Sequence, residues 1–361
     1  MIASTPHSNQ AVYTLSQYRA DRQIGYWLMT VALVVALMVL VGGLTRLTGS
    51  GLSITEWRPV TGTLPPLSEE AWQSEFAKYQ TIPQFHIVNH DMTLADFKGI
   101  YYWEWGHRLL GRLIGLFFAI PALIFAVQGK LTRRDLPRMV LLFALGGAQG
   151  ALGWWMVASG LSERINVSQY RLAAHLGLAL IIFAALFWSG LDRFQSSNRR
   201  LTDASTQRSG LFAVTLGVTL ACYAQMLFGA IVAGLHAGLL HNTWPLMDGE
   251  LVPSRLFEDD VTWLSPFEDP TFAQFDHRMI AYGVAIAILA LWYRLSRLAP
   301  ALKARANIML AALGIQVLLG ILIIFWQVPI PLAAGHQLGA LCLFSTMLWV
   351  LHGLKSQPAG A

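Results

Sequence analysis

Eight stretches of mostly apolar residues, each long enough to cross a bilayer, punctuate this chain. They fall at roughly 24–44, 104–127, 137–158, 171–190, 211–235, 277–298, 305–327 and 332–352. About 20 apolar residues span the hydrocarbon core as a helix, and lipid offers no partner to an open backbone. The fold class that follows is all-α integral membrane. Composition agrees. Hydrophobic residues are 55% and charged residues 12% of the 361 positions, about half the charge of a soluble domain. The net charge of +5 does not point to nucleic acid, because the basic residues are scattered among short loops without interleaved aromatics. Cys222 and Cys342 both lie in apolar runs, where a small buried hydrophobe is the simplest role.

Charge sets the expected orientation. The N-terminal segment, the short loops near 128–138, 191–210 and 294–305, and the C-terminal tail hold 15 of the 25 Lys and Arg residues. Lys and Arg favour the cytoplasmic side, so both termini are expected inside. The outer side then carries two long loops, 45–103 and 236–276, rich in Trp, Pro and Gly. Within the first, Glu69–Gln80 reads as a short amphipathic helix. Loops of this length in a compact protein are more often a functional cover than a tether.

The chain also repeats itself. "EWGHRLLGRLIG" (104–115) aligns with "QFDHRMIAYGVA" (274–285), and "LAAH" ending at His175 matches "LAAGH" ending at His336. "GGAQGALGWWM" (146–156) echoes "GIQVLLGILII" (314–324), which sets Gln149 near Gln316. Four crossings return the chain to its starting side, so the halves share one orientation. The expected architecture is two parallel-repeat four-helix bundles related by a pseudo-twofold axis along the membrane normal. The chain divides accordingly into a cytoplasmic segment (1–23), a first half (24–190), a cytoplasmic linker (191–210), a second half (211–352) and a cytoplasmic tail (353–361).

Four of the ten histidines, His107, His175, His277 and His336, are expected to open the even-numbered spans, at similar depth in the outer leaflet. A single histidine at a helix mouth is commonly just a hydrogen-bonded polar residue. Matched pairs across a repeat are harder to explain that way, because ionisable groups inside spans are costly and mark functional sites. Two imidazoles facing each other inside a four-helix bundle suit one planar haem. Zinc or copper fits less well, since no cluster of further ligands completes a small coordination sphere. Arg108 and Arg278 follow the first histidine of each half and are either propionate partners or interfacial anchors. Glu104 shares a helical face with His107, whereas the matching residue beside His277 is Gln274. A carboxylate moves protons and a glutamine does not, so the first half reads as reactive and the second as an electron-transfer or structural haem site. Stabilisation of a helix N-terminus is the alternative role for Glu104.

At these residues the sequence resembles the haem A synthases. The resemblance covers nearly the whole chain and rests on "GGLTRLTGSGLSITEWRPVTGTLPP" (42–66), "EWGHRLLGR" (104–112), "GALGWWMV" (150–157), "AAHLGLAL" (173–180), "AGLHAGLLHNTWPLMDG" (233–249) and "FDHRMIAY" (275–282). It implies an oxidoreductase that turns a methyl group of haem O into the formyl group of haem A by successive hydroxylation, for terminal oxidase assembly. It further implies that His107 and His175 hold the substrate haem O, that His277 and His336 hold a haem B cofactor, and that Glu104 is catalytic. The partners implied are haem O delivered by a haem O synthase, an unidentified electron donor or acceptor, terminal oxidase assembly factors and membrane lipid, with no nucleic acid. Whether the chain forms a homo-oligomer is open. Some bacterial members carry a cysteine pair in an outer loop. No loop here has one, which places the chain nearer the mitochondrial and proteobacterial branch. No targeting presequence is read at the N-terminus, which favours a bacterial inner membrane. The readings that compete are a bis-histidine membrane cytochrome and a haem transporter or chaperone without chemistry.

The charge asymmetry makes a direct prediction. Single cysteines placed at 78 or 255 should react with an impermeant thiol reagent added from outside, and protection at either site would invert the topology.

Overall fold

The computed structural model describes residues 15–196 and 206–355. The N-terminal expectations for residues 1–14, the middle of the linker and the end of the tail lie outside the described residues. Eight helices are long and apolar enough to cross a membrane. In chain order, spans 1 to 8 are Leu15–Leu47, Leu94–Val127, Leu136–Ala158, Gln169–Ser196, Thr206–Gly234, Pro270–Leu298, Lys303–Phe325 and Ile330–Leu354. The eight expected spans are therefore all present.

Three of the helices, spans 1, 2 and 6, start well before their apolar runs, and span 1 begins at Leu15, within the segment 1–23 expected to precede it. Span 2 begins at Leu94, where Thr93 and Asp96 form a reciprocal capping box. Span 6 begins at Pro270, with Asp269 accepting hydrogen bonds from the amides of Thr271 (2.8 Å) and Phe272 (3.3 Å). The outer loops are correspondingly shorter than 45–103 and 236–276. His107 does not open its helix: at 3.6 residues per turn it lies in about the fourth turn, and His277 in about the third. An apolar window measures what lipid demands, whereas caps decide where a helix starts. That difference accounts for the misplaced ends.

Packing follows the same pattern in each half. Span 1 packs against spans 2 and 4, and span 3 against spans 2 and 4. Span 5 packs against spans 6 and 8, and span 7 against spans 6 and 8. The halves meet through spans 1, 4, 5 and 8, where the Gln337 amide of span 8 donates to the Val39 carbonyl of span 1 at 2.8 Å. Gly43 leaves room for that side chain, since a Cβ there would overlap it. The apolar core runs through this seam, with Ile24, Leu28, Leu180, Leu186, Met347 and Val350 almost fully buried. Half of the apolar window of span 8 is buried but only 6% of that of span 2, so span 8 is central and span 2 faces lipid. Cys222 is buried as expected. Cys342 is exposed, unlike the buried role read from its apolar run.

The first outer loop is folded. Glu69–Tyr79 is a helix capped by the Ser68 hydroxyl, matching the amphipathic segment read from the sequence. Leu52, Ile54, Trp72, Tyr79, Ile82, Phe97, Tyr101 and Val157 form a second apolar core between the loop and spans 2 and 3. At its centre Tyr79 donates to Gln84 (2.9 Å) and accepts from Asn89 (2.6 Å). This cover should depend on Phe97, which is fully buried. Phe97→Ala should cost about 3–5 kcal/mol, as large-to-small aromatic changes in cores do. Limited proteolysis would check it: cleavage within 49–93 should accelerate, and unchanged cleavage would mean the loop does not rest on this core.

Candidate functional site

Each of the four histidines comes from an even-numbered span and lies against a glycine of the span before it. A Cβ added at Gly42 would sit 3.1 Å from Nε2 of His107, and one at Gly153 would sit 2.8 Å from Cε1 of His175. At Gly229 and Gly320 the corresponding distances are 3.2 Å to His277 and 3.1 Å to His336. Any larger residue would push the ring away from the helix. The four imidazoles are thus seated by one device used four times. The members of each pair are also electrostatic neighbours, His107 with His175 and His277 with His336.

Three of the rings have a second neighbour, one turn before the glycine. The Gln149 amide lies 3.1 Å from Nδ1 of His175 and 3.0 Å from its carbonyl oxygen. Gln225 does the same for His277, at 3.0 and 2.8 Å, and Gln316 lies 3.2 Å from Nδ1 of His336. The Oε1 atoms of all three glutamines are buried without a partner among the described residues. A buried acceptor normally finds a donor, and the N–H of an imidazole bound to metal through its other nitrogen is such a donor. Amide orientation is an assignment, and turning the Gln316 amide would bring Oε1 to that position, whereas Gln149 and Gln225 also keep their amide nitrogen on the histidine carbonyl. The residues therefore fit a metal held axially by two histidines. Among the described residues no group of three or more His, Cys, Asp and Glu side chains is placed to hold a metal ion. Two imidazoles alone leave the remaining coordination to a non-protein ligand, as a haem macrocycle provides.

Beside each pair an arginine ties an outer loop to its helix. Arg108 donates to the carbonyls of Ile54 (2.8 Å) and Glu56 (3.0 Å). Arg278 donates to those of His241 (2.7 Å) and Thr243 (2.9 Å). The two loop segments correspond, with Trp57 and Trp244 one residue beyond the clamped pair. Glu104 is 2% exposed and receives four hydrogen bonds. Oε2 accepts from the Ser53 hydroxyl (2.7 Å) and the Ile54 amide (2.9 Å), and Oε1 from Nε (3.0 Å) and Nη2 (2.6 Å) of Arg108. Gln274 is equally buried but makes one bond, to the His241 carbonyl at 3.1 Å. The carboxylate is thus held by the loop and Arg108 and is not left free beside His107.

Sequence reasoning missed several of these residues. Gln149 and Gln316 were visible as a repeat pair, but Gln225 was not aligned with them, and their role beside histidine needed coordinates. Arg46 was also missed. It follows Gly42 by one turn, and its Nη2 is buried with no partner among the described residues, as is Nε of Arg278. An arginine embedded in an apolar run of span 1 was the available signal.

The COX15-CtaA family, described as cytochrome oxidase assembly protein, matches residues 25–348. The chain is 49% identical to the haem A synthase of Parvibaculum lavamentivorans over 92% of its own length and 94% of that protein's. It is 50% identical to that of Azorhizobium caulinodans, over 91% and 94%, and 46% identical to that of Paracoccus denitrificans, over 91% and 87%. The family match extends from span 1 into span 8, and with these relatives it shows that the chain belongs to the haem A synthase (COX15-CtaA) family.

Proposed function

We propose that this protein oxidises the methyl group of haem O to the formyl group of haem A, for terminal oxidase assembly in a bacterial inner membrane. Family membership over nearly the whole length supports the activity, and eight apolar helices support the multi-pass location. In this reading the halves are two four-helix bundles of parallel orientation about an axis along the membrane normal, with both termini cytoplasmic. The shared pattern of helix neighbours and the Lys/Arg asymmetry support those two points respectively.

One observation carries the division of labour. Two histidine pairs occupy the same setting, and a carboxylate stands beside one while an amide stands beside the other. The first half (24–190) takes the substrate haem between His107 and His175. The second half (211–352) takes haem B between His277 and His336, which when bound supplies a one-electron redox centre. Arg108 and Arg278 hold the outer loops and, with Arg46, provide cations for haem propionates. The unpartnered Nη2 of Arg46 and Nε of Arg278 support that assignment. The folded first outer loop, residues 48–93, keeps bulk water from the reacting methyl.

Each hydroxylation of the methyl group requires proton transfer, and Glu104 is the carboxylate placed to take part in it. Four donors already engage its two oxygens, so it must exchange one of them for substrate or water. Ser53 is the natural donor to yield, since its hydroxyl rotates freely, whereas Arg108 and the Ile54 amide are fixed. A haem O synthase supplies the substrate, and assembly factors of the oxidase take the product.

Glu104→Gln removes the charge with almost no change in volume. Positioned acid–base groups contribute about 10²–10⁴-fold, so the ratio of haem A to haem O in membranes making both should collapse while both haems still bind. Gln274→Glu should leave that ratio nearly unchanged. A near-normal ratio in Glu104→Gln would leave Glu104 as a loop tether alone.

A further inference from the structure

The glutamine that accompanies three histidines is missing from the fourth. One turn before the seating glycine stand Gln149, Gln225 and Gln316 in spans 3, 5 and 7, but Met38 in span 1. The Met38 methyl instead lies against Gly111, 3.3 Å from where its Cβ would be, and His107 receives no hydrogen bond from any described residue. A thioether is at best a weak acceptor, so it holds a ring N–H far less well than an amide oxygen.

His107 also has room beside it. A cleft of about 360 Å³ is lined by Val41, Gly99, Tyr102, Trp103, Gly106 and His107. Side chains added at Gly99 or Gly106 would meet nothing within 4 Å. The repeat offset that matches His107 with His277 places Phe272 and Ala273 where the first half has Tyr102 and Trp103. Phe272 and Ala273 are buried, whereas Tyr102 and Trp103 are exposed. The cleft therefore belongs to the substrate half.

We infer that Met38 makes His107 the exchangeable axial ligand of the substrate haem, while Gln149, Gln225 and Gln316 are positioning residues that hold His175, His277 and His336 on their metals. The inference rests on the proposed ligand pairs. It deepens them by saying which of four chemically identical ligands lets go. Hydrogen-bonded partners of ligating histidines fix ring orientation and are worth about 10–100-fold in metal affinity. Removing one such partner from four equivalent positions concentrates ligand loss at a single site. A released His107 ring would have the cleft to move into. His175 stays in place and keeps the substrate in register with Glu104.

Carbon monoxide binding to the dithionite-reduced holoprotein tests this, because it needs a vacated axial position and reads ligand release without turnover. In the wild type, carbon monoxide should bind the substrate haem and leave haem B untouched over the same period. Met38→Gln should slow binding about tenfold or more, the lower end of the outer-partner range, with the low-spin ferric spectrum unchanged. Gln225→Met should do the reverse and let haem B bind carbon monoxide. An unchanged rate in Met38→Gln with both haems retained would overturn the inference. If Met38→Gln loses its haem, Gln225→Met decides: a haem B as inert as in the wild type overturns the inference, and a reactive one supports it. The ligand assignment fails separately. It falls if His107→Ala and His175→Ala both keep an unaltered low-spin substrate haem. If they lose it and the two swap variants do nothing, only the inference falls.

Discussion

The seat of an imidazole against a glycine of the neighbouring helix is the contact on which the rest of this structure depends. A histidine placed inside a membrane span is costly unless it is held and used. Glycine at the crossing lets the ring lie against the next helix, and that proximity fixes which two spans are neighbours. Gly42, Gly153, Gly229 and Gly320 do this four times, always between an odd span and the even span that follows. Helix pairing and histidine placement are therefore one constraint. Neither half can be repacked without moving its paired histidines.

Onto this frame each half adds a lock between loop and helix. Arg108 and Arg278 reach the same two carbonyl positions of their respective loops, one on either side of a single intervening residue. Among the described residues, only in the first lock does the arginine itself bond a carboxylate. Glu104 joins Arg108, Ser53 and Ile54 in one buried, fully bonded cluster, whereas Gln274 leaves Oε1 unsatisfied. Buried charge persists when every lone pair is engaged, and a loop that shields such a cluster also shields the chemistry beside it. The two halves keep the same scaffold and differ in charge, in the cleft at His107, and in the residue at position 38.

Much of this was legible in the sequence, for physical reasons. Lipid forces apolar runs of fixed length, so the existence of eight spans followed from composition along the chain. Internal similarity then paired His107 with His277 and His175 with His336, and exposed Glu104 against Gln274. Helix starts were less legible. Thr93 and Asp96 begin span 2 within polar sequence that no hydropathy window detects, and this displaced His107 from the first turn. The engagement of Arg108 with loop carbonyls was invisible, because it depends on where a folded loop returns. The glutamine partners needed coordinates as well. Their one-turn spacing to glycine is short and common in apolar helices, and it gains meaning only when a ring from another span lies across both residues.

The central claim is that one half holds a substrate haem and the other a resident haem B. The most direct test is the identity of the haems extracted from the purified full-length protein, made in cells that also make haem O. The two-site account predicts haem B together with haem O or haem A. Haem B alone, with all four histidines intact, would contradict it and leave a bis-histidine cytochrome.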